Sequence, residues 1–327
     1  MAGSNNIRIP KIEPVDIGYG TKTYVPKVDY YLNLIENAVH FKYLRLNHGM
    51  LDPFVPVFGM DELRELISSE KYEEVSSKLV KYHHNNNGYL KAWSPMDNRY
   101  VELLSFFLKF FNDEIHNENS EYDFGVSFCN GIFRATDGLG SPVVRNRGNV
   151  FKILSNDLDT NYFHGGLVRH YAVTNEIYEF FNLLNEMDYD VIFVGAPYFQ
   201  MAKYEYNIKN FYHITIPYRN AILTFDKTIS DLKNTIKKDK TIILNSTGHD
   251  LSFYLADSIR GWDVSQFDVG RALDWNMYQS FKLGKLKEEF ESLPNYYKPW
   301  NNLGQNPWLT QPKSQHMGIV RKLRNGI

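Results

Sequence analysis

Three short apolar runs constrain this chain most: Val191-Ile-Phe-Val-Gly-Ala-Pro197, Thr241-Ile-Ile-Leu-Asn-Ser-Thr-Gly248 and Gln266-Phe-Asp-Val-Gly-Arg271, each closing on small polar or glycine residues. Such runs are the signature of parallel strands in an α/β layer, whose carboxyl ends converge on a ligand. The segments between them fit. A strand over Phe211 to Ile216 is stopped by Pro217, a helix over Thr224 to Lys237 turns Ile229, Leu232 and Ile236 inward, and a helix from Asp250 to Arg260 ends at Gly261. The last strand is expected to end at Gly270. Strand, helix, strand, helix, strand in this order predicts a Rossmann-like half with right-handed crossovers.

The rest of the chain is read the same way. An extended Pro-containing arm covers residues 1–26, and Val28, Tyr31, Leu32, Ile35 and Val39 recur at helical spacing. A strand follows from Phe41 to Leu46, then one charged helix from Asp61 to Val80 with Leu63, Leu66 and Ile67 on its apolar face. Residues 99–111 are apolar nearly all round, which predicts a helix buried on several sides. Phe124 to Phe128 reads as a strand and the glycine-bearing stretch 130–149 as an irregular loop carrying Arg134, Arg145 and Arg147. Thr174 is the expected N-cap of the helix that feeds the strand at Val191.

With 36 Lys+Arg against 38 Asp+Glu the chain has no global positive field, so any polyanion contact must be local. One cysteine, Cys129, excludes an internal disulfide framework and a Cys-rich zinc site, and fits a reducing, cytoplasmic setting. No run approaches the length of a membrane span. The 23 Tyr and 22 Phe, with frequent Asn and Lys, resemble the usage of AT-rich bacterial or phage genomes. After Glu291 no acid occurs, while Lys298, Lys313, Arg321, Lys322 and Arg324 alternate with Tyr and Trp. That pattern suits phosphate backbones and stacked bases. It equally suits a tail packed on the body by its aromatics with solvated lysines.

No GxGxxG follows a strand, and GxxxxGK[ST], GxSxG and HExxH are absent, which excludes the usual dinucleotide, P-loop, hydrolase and zinc-protease readings. His83-His84 falls in an Asn-rich stretch with no carboxylate at ligand spacing. Arg169, after Gly165-Gly166, is the stronger anion binder, because a guanidinium grips two phosphate oxygens. At the expected carboxyl edge stand Gly195, Pro217, Asn220, Gly248, Asp268, Gly270, Arg271 and Asp274. Small residues there let backbone amides approach a pyrophosphate, and Asn220 and Asp268 can read a base or ribose. Taken singly, each glycine is also an ordinary strand-to-helix turn.

The order of these motifs resembles the GT-D class of bacterial glycosyltransferases over roughly residues 27–276. Phe267-Asp268-Val-Gly270-Arg271-Ala-Leu-Asp274-Trp275 is similar to that family's Asp-x-Gly-His-x-Asp-x-Glu-Trp ending, and His213-Ile-Thr-Ile-Pro217-Tyr-Arg-Asn220-Ala221 to its Ile-x-x-Pro-x-x-Asn-Ala run. Ile242 to Gly248 resembles its apolar strand before a small-residue turn, and Gly165 to Arg169 sits where it carries Ser-Arg-Pro. The resemblance implies a Rossmann-like, mostly parallel sheet with a helical insert, in a domain over 27–291 followed by a basic aromatic tail over 292–327. The family's Arg-Phe-Gly-Asp-Gly-Glu turn, thought to place a divalent metal on the donor diphosphate, reads here Arg45-Leu-Asn47-His48-Gly49-Met50-Leu51-Asp52. A methionine is a poor ligand for a hard cation, so no divalent metal is called for as cofactor.

The function so implied is transfer of a sugar from a nucleotide-diphosphate donor, a UDP-sugar, to an acceptor hydroxyl. Gly195, Pro217, Asn220, Gly248, Asp268 and Gly270 hold the donor, Arg45, Arg169 and Arg271 neutralise its diphosphate, and Asp274 or His48 takes the acceptor proton. Two acceptors fit. One is a bacterial surface glycan or glycoprotein; the other is a base such as 5-hydroxymethylcytosine in double-stranded phage DNA, gripped by Arg134, Arg145, Arg147, Lys322 and Arg324. The rival reading is a non-catalytic nucleotide-sugar or nucleic-acid binding protein that kept the fold after losing the acidic turn.

Overall fold

The computed structural model describes residues 10–85, 99–117, 119–128, 142–158, 161–217, 221–293 and 313–325. They form an α/β fold around one sheet whose strands are β1 (Val15–Asp16), β2 (Lys22–Tyr24), β3 (Lys42–Asn47), β4 (Tyr122–Ser127), β5 (Asn161–His164), β6 (Asp190–Gly195), β7 (Phe211–Thr215), β8 (Thr241–Asn245) and β9 (Ser265–Asp268). Their order is β1-β2-β5-β4-β3-β9-β8-β6-β7. Only the β1–β2 pair is antiparallel; the other pairings are parallel. Every residue of β6, β8 and β9 is buried, as expected of parallel strands covered on both faces.

The chain leaves β3 toward β4 and β5 on one side, and after β6 to β8 on the other side it returns to lay β9 against β3. Crossovers diverge at that boundary, the position at which open α/β sheets take their ligands. On one face of the sheet Tyr31, Tyr43, Phe180, Phe193 and Phe267 anchor the core. On the other, Leu44, Leu46, Phe107, Phe111, Phe124 and Phe253 do. The helix Arg99–Ile115 lies between the helices Tyr72–Asn85 and His249–Ser258, which explains its nearly all-round apolar surface. Close approach is decisive at Gly125, where an added Cβ would stand 2.4 Å from the Tyr43 hydroxyl. That hydroxyl donates to the His164 carbonyl at 2.7 Å and ties β3 to the end of β5.

Several elements differ from expectation. The charged stretch after residue 60 is two helices, Met60–Ser68 and Tyr72–Asn85, separated where Glu70 adopts φ +54°. The amides of Glu70 and Lys71 turn back to the carbonyls of Ile67 and Leu66, so the first helix is capped and cannot continue. Residues 142–149 of the expected loop belong to the helix Pro142–Leu154, begun by a proline and held by Val144, Val150, Phe151 and Leu154; residues 129–141 lie outside the described residues. Thr174 is no N-cap. It ends the helix Leu167–Thr174 and its hydroxyl donates back to the His170 carbonyl, while Asn175 at φ +69° starts the next helix. The last strand stops at Asp268, leaving Gly270 in the turn that follows. His83 belongs to a helix, where it is buried and its Nε2 lies 2.9 Å from the Pro53 carbonyl.

Both ends of the described chain join the body. β2 of the N-terminal arm pairs with β5. The helix Lys313–Arg324 packs on the helix Leu167–Thr174, with His316 edge-on to Trp275 and Arg324 bonded to both oxygens of Glu176.

Candidate active site at the strand ends

Arg45 lies one residue pair from the end of β3, and Asp268 is the last residue of the neighbouring β9. The Arg45 Nε donates to Asp268 Oδ1 at 3.0 Å, and Nη2 lies 2.9 Å from the same oxygen in an ion pair. Asp268 Oδ2 accepts from Ser252 Oγ at 2.9 Å, and Ser252 Oγ accepts from Asn245 Nδ2 at 2.7 Å. Asn245, the last residue of β8, uses its side-chain oxygen to hold the amide and hydroxyl of Thr247, and its carbonyl to hold the amides of Val269 and Gly270. A buried chain of hydrogen bonds thus ties the ends of β8, β9 and β3 to one guanidinium. Arg45, Asn245, Ser252 and Asp268 are all buried.

Gly270 permits this arrangement. Its φ is +46°, and a Cβ there would fall 1.8 Å from Arg45 Nη2.

Two further guanidiniums share the site. Arg271 donates from Nε to Asp274 Oδ2 at 2.7 Å, and the Tyr198 hydroxyl donates to Asp274 Oδ1 at 3.2 Å. Asp274 is fully enclosed, and burial raises its pKa against the pull of Arg271. Arg169, half-buried on the helix Leu167–Thr174, has its pKa pushed down to about 10, first by burial and then by the like charges of Arg45 and Arg271, with Asp274 opposing. The site therefore sets three guanidiniums at graded depth: Arg45 buried, Arg169 half-buried, and Arg271 with 39% of its side chain exposed.

Below them two histidines stack at 5.1 Å between ring centroids. Burial drives the His164 pKa down to about 4, and His170 well below its ordinary value with help from His164, Arg324 and Arg169. Both rings are neutral near pH 7, and His164 Nδ1 accepts the Gly166 amide at 3.0 Å.

Expectation and structure part at several residues. Asp268 and Asp274, expected to face the nucleoside and the acceptor, are enclosed and hold Arg45 and Arg271 instead. Gly195 is buried against Phe193, Phe199 and Ser246, a packing role. Gly248, exposed at φ +97°, and Pro217, half-buried, stand at the strand ends as expected. Arg147 is buried and gripped by Asp52 at 2.5 and 3.0 Å, and Arg324 is held by Glu176, so neither presents a free guanidinium to a polyanion. Arg145 and Lys322 are exposed. Asn220 and Arg134 lie outside the described residues, and His48, which starts the short helix after β3, has a side chain outside the description. Ser252, Asn245 and Tyr198 were not singled out from sequence. The available signal was Asn245 at a strand end, followed by a serine on the first turn of the next helix.

The residues of the altered turn do not suit a divalent cation. Met50 is buried with Leu51 and Phe54 in the core, and Asp52 is engaged by Arg147. Among the described residues no group of three or more His, Cys, Asp or Glu is placed to hold a metal ion.

No family model matches the chain. No curated protein matches it either. Among solved structures it is similar to a selenomethionine-substituted structure of domain of unknown function 1792, at 13% identity and a TM-score of 0.48, covering 81% of this chain and 83% of that one. It is also similar, at 13% identity, a TM-score of 0.47 and the same coverage, to a structure described as showing that this highly conserved domain has a distinct glycosyltransferase fold.

A separate cleft of about 990 Å³ opens on the outer flank, between Pro10–Val15, the start of the helix Asp29–Glu36, and residues 323–325. None of the strand-end residues of β3, β8 or β9 lines it. No helix among the described residues is long and apolar enough to cross a membrane.

Proposed function

We propose that the strand-end site binds a nucleotide-diphosphate sugar, a UDP-sugar, and transfers the sugar to an acceptor hydroxyl. The observation that carries this reading is the convergence of Arg45, Arg169 and Arg271 at the carboxyl edge of a parallel sheet, where its connections diverge. In such a transfer the bond from the sugar's anomeric carbon to the phosphate oxygen breaks, its electron pair stays on the diphosphate, and the acceptor oxygen bonds to that carbon. Guanidiniums already in place stabilise the charge that develops on the leaving group, without reorganisation at the moment of reaction. The acceptor proton goes to His48, assigned on its place directly after β3, because Asp274 is enclosed.

A carbohydrate hydroxyl, on a glycan or glycoprotein, is the acceptor we favour over DNA. Arg147 and Arg324, two of the cations expected to follow a DNA backbone, are turned inward to Asp52 and Glu176.

The test is a thermal-shift panel of UDP, GDP, CMP and common nucleotide sugars, followed by acceptor-free hydrolysis of any that bind. A rise in midpoint with one nucleotide sugar and slow release of its nucleoside diphosphate are expected. Binding without hydrolysis would mark a binding protein, and no binding would remove the reading.

A further inference from the structure

We propose that the diphosphate is held here by guanidiniums in place of a divalent cation, and that Ser252 is the residue that positions Arg45 for it. This rests on the transferase reading for its biological ligand, though the seat itself is defined by the arginines and the groups that hold them.

The first argument is the distribution of oxygen ligands. A hard divalent cation asks for several carboxylate or carbonyl oxygens around one point. Among the described side chains, three carboxylates at this edge are each bonded to an arginine: Asp268 to Arg45, Asp274 to Arg271 and Asp52 to Arg147. With these oxygens engaged, the described carboxylates offer a divalent cation no open set of ligands, whereas three guanidiniums stand at the same edge.

The second argument is how Arg45 is held. Both of its recorded bonds run to a single oxygen, Asp268 Oδ1, and engage Nε and Nη2. Nη1 has no protein partner among the described residues. Asp268 is itself fixed through its other oxygen by Ser252, and Ser252 by Asn245. Fixing the carboxylate fixes the plane of the guanidinium, and a guanidinium held in plane loses little freedom when it binds an anion. Ser252 touches neither Arg45 nor any ligand at the strand ends, so its effect passes through Asp268.

The third argument is the space at Gly270. Its missing Cβ leaves room for the guanidinium, whose Nη2 would otherwise meet a carbon at 1.8 Å. An aspartate and a glycine two residues apart border one arginine, and a serine from the preceding helix holds the aspartate.

Isothermal titration of the full chain with inorganic pyrophosphate in excess EDTA tests this. Wild type is expected to bind, Arg169→Gln and Arg271→Gln to bind weakly, and Ser252→Ala to lose about tenfold in affinity. Ser252→Thr, which keeps the hydroxyl, is expected to restore it while Ser252→Ala keeps a cooperative unfolding transition. Pyrophosphate bound only when Mn²⁺ is present, or equally well by wild type and Ser252→Ala, overturns the inference. Nucleotide-sugar turnover that needs Mn²⁺ would leave the transferase standing and remove the metal-free seat. Pyrophosphate binding in EDTA with no nucleotide sugar turned over would leave the seat and remove the transferase.

Discussion

Among the described residues, two buried arginines that each meet an aspartate, Arg147 and Arg45, differ in what surrounds them. Arg147 meets Asp52 through two parallel bonds, at 2.5 and 3.0 Å, and gives its third nitrogen to the Phe128 carbonyl at 2.8 Å. All three guanidinium nitrogens are engaged, and the pair joins the helix Pro142–Leu154 to the segment after β3. Arg45 meets only one oxygen of Asp268, keeps Nη1 clear, and has Arg169 and Arg271 for neighbours. The same two residue types make a structural clip in one place and an anion seat in the other. Saturation of donors and the sign of nearby charge separate the two arginines, whose own burial is alike.

The largest effect is expected where the clip is broken. Arg147→Ala leaves the Asp52 carboxylate and the Phe128 carbonyl without their donor, and a loss of about 3–5 kcal/mol is expected by urea unfolding. If the folded fraction of that variant binds pyrophosphate normally, the two pairs are independent, as pairs without shared partners should be. A parallel loss of binding would show that the distinction between them is false.

Acid should weaken the fold through its buried histidines, with either pair intact. His164 titrates at about 4 in the folded state because of burial, and His213 is lowered to about 4 for the same reason. Their folded values lie below the unfolded one of about 6.5, so between those limits the unfolded chain binds more protons. These groups leave stability unchanged above about pH 6.5 and lower it as pH falls toward 4, by on the order of 3 kcal/mol for His164 alone. Urea midpoints at pH 7 and pH 5 measure this. His164→Asn, which retains an acceptor for the Gly166 amide, should flatten the slope; an unchanged slope would place the acid sensitivity elsewhere.

Gly270→Ala sharpens the comparison from the other side. Its Cβ must displace Arg45, and the residue must hold φ +46°, so about 1–2 kcal/mol of strain is expected along with a roughly tenfold weaker pyrophosphate titration. A variant that loses stability but binds as wild type would show that Arg45 is structural, like Arg147. The smallest effects are expected at the exposed Arg145 and Lys322. Alanine at either should change stability by no more than about 0.5 kcal/mol, and transfer to a glycan acceptor should be unaffected. A steep, salt-dependent loss on hydroxymethylated duplex alone would instead favour DNA as acceptor.

Much of the architecture was legible along the chain because buried parallel strands are locally marked. The runs at 190–195 and 241–245 are mostly apolar, short and closed by turn residues, and these signals need no partner to be read, whereas 265–268 carries only Phe267 and is marked by the glycine turn after it. The helix Arg99–Ile115 announced its several-sided burial through its phenylalanines. The helix Pro142–Leu154 was hidden because its glycine and arginines break the pattern locally, and only packing by Val144, Val150 and Phe151, with the Asp52 contact, holds it. Thr174 shows the same limit. A threonine before a helix fits an N-cap, yet here it closes the preceding one.

At the site, the sequence by itself named Arg45, Arg169, Asp268, Gly270, Arg271 and Asp274, whereas the placing of β3 beside β9, which brings Arg45 to Asp268, belongs to the tertiary structure. The tertiary structure alone decided which way each one works. Asp268 and Asp274 turn inward to hold arginines, Arg147 and Arg324 are consumed by Asp52 and Glu176, and Ser252 becomes the support of Arg45. The physical reason is that a residue's type fixes its charge and its donors, whereas its role depends on which oppositely charged group reaches it first. That group comes from up to 223 residues away, as with Arg45 and Asp268, a distance no local pattern records.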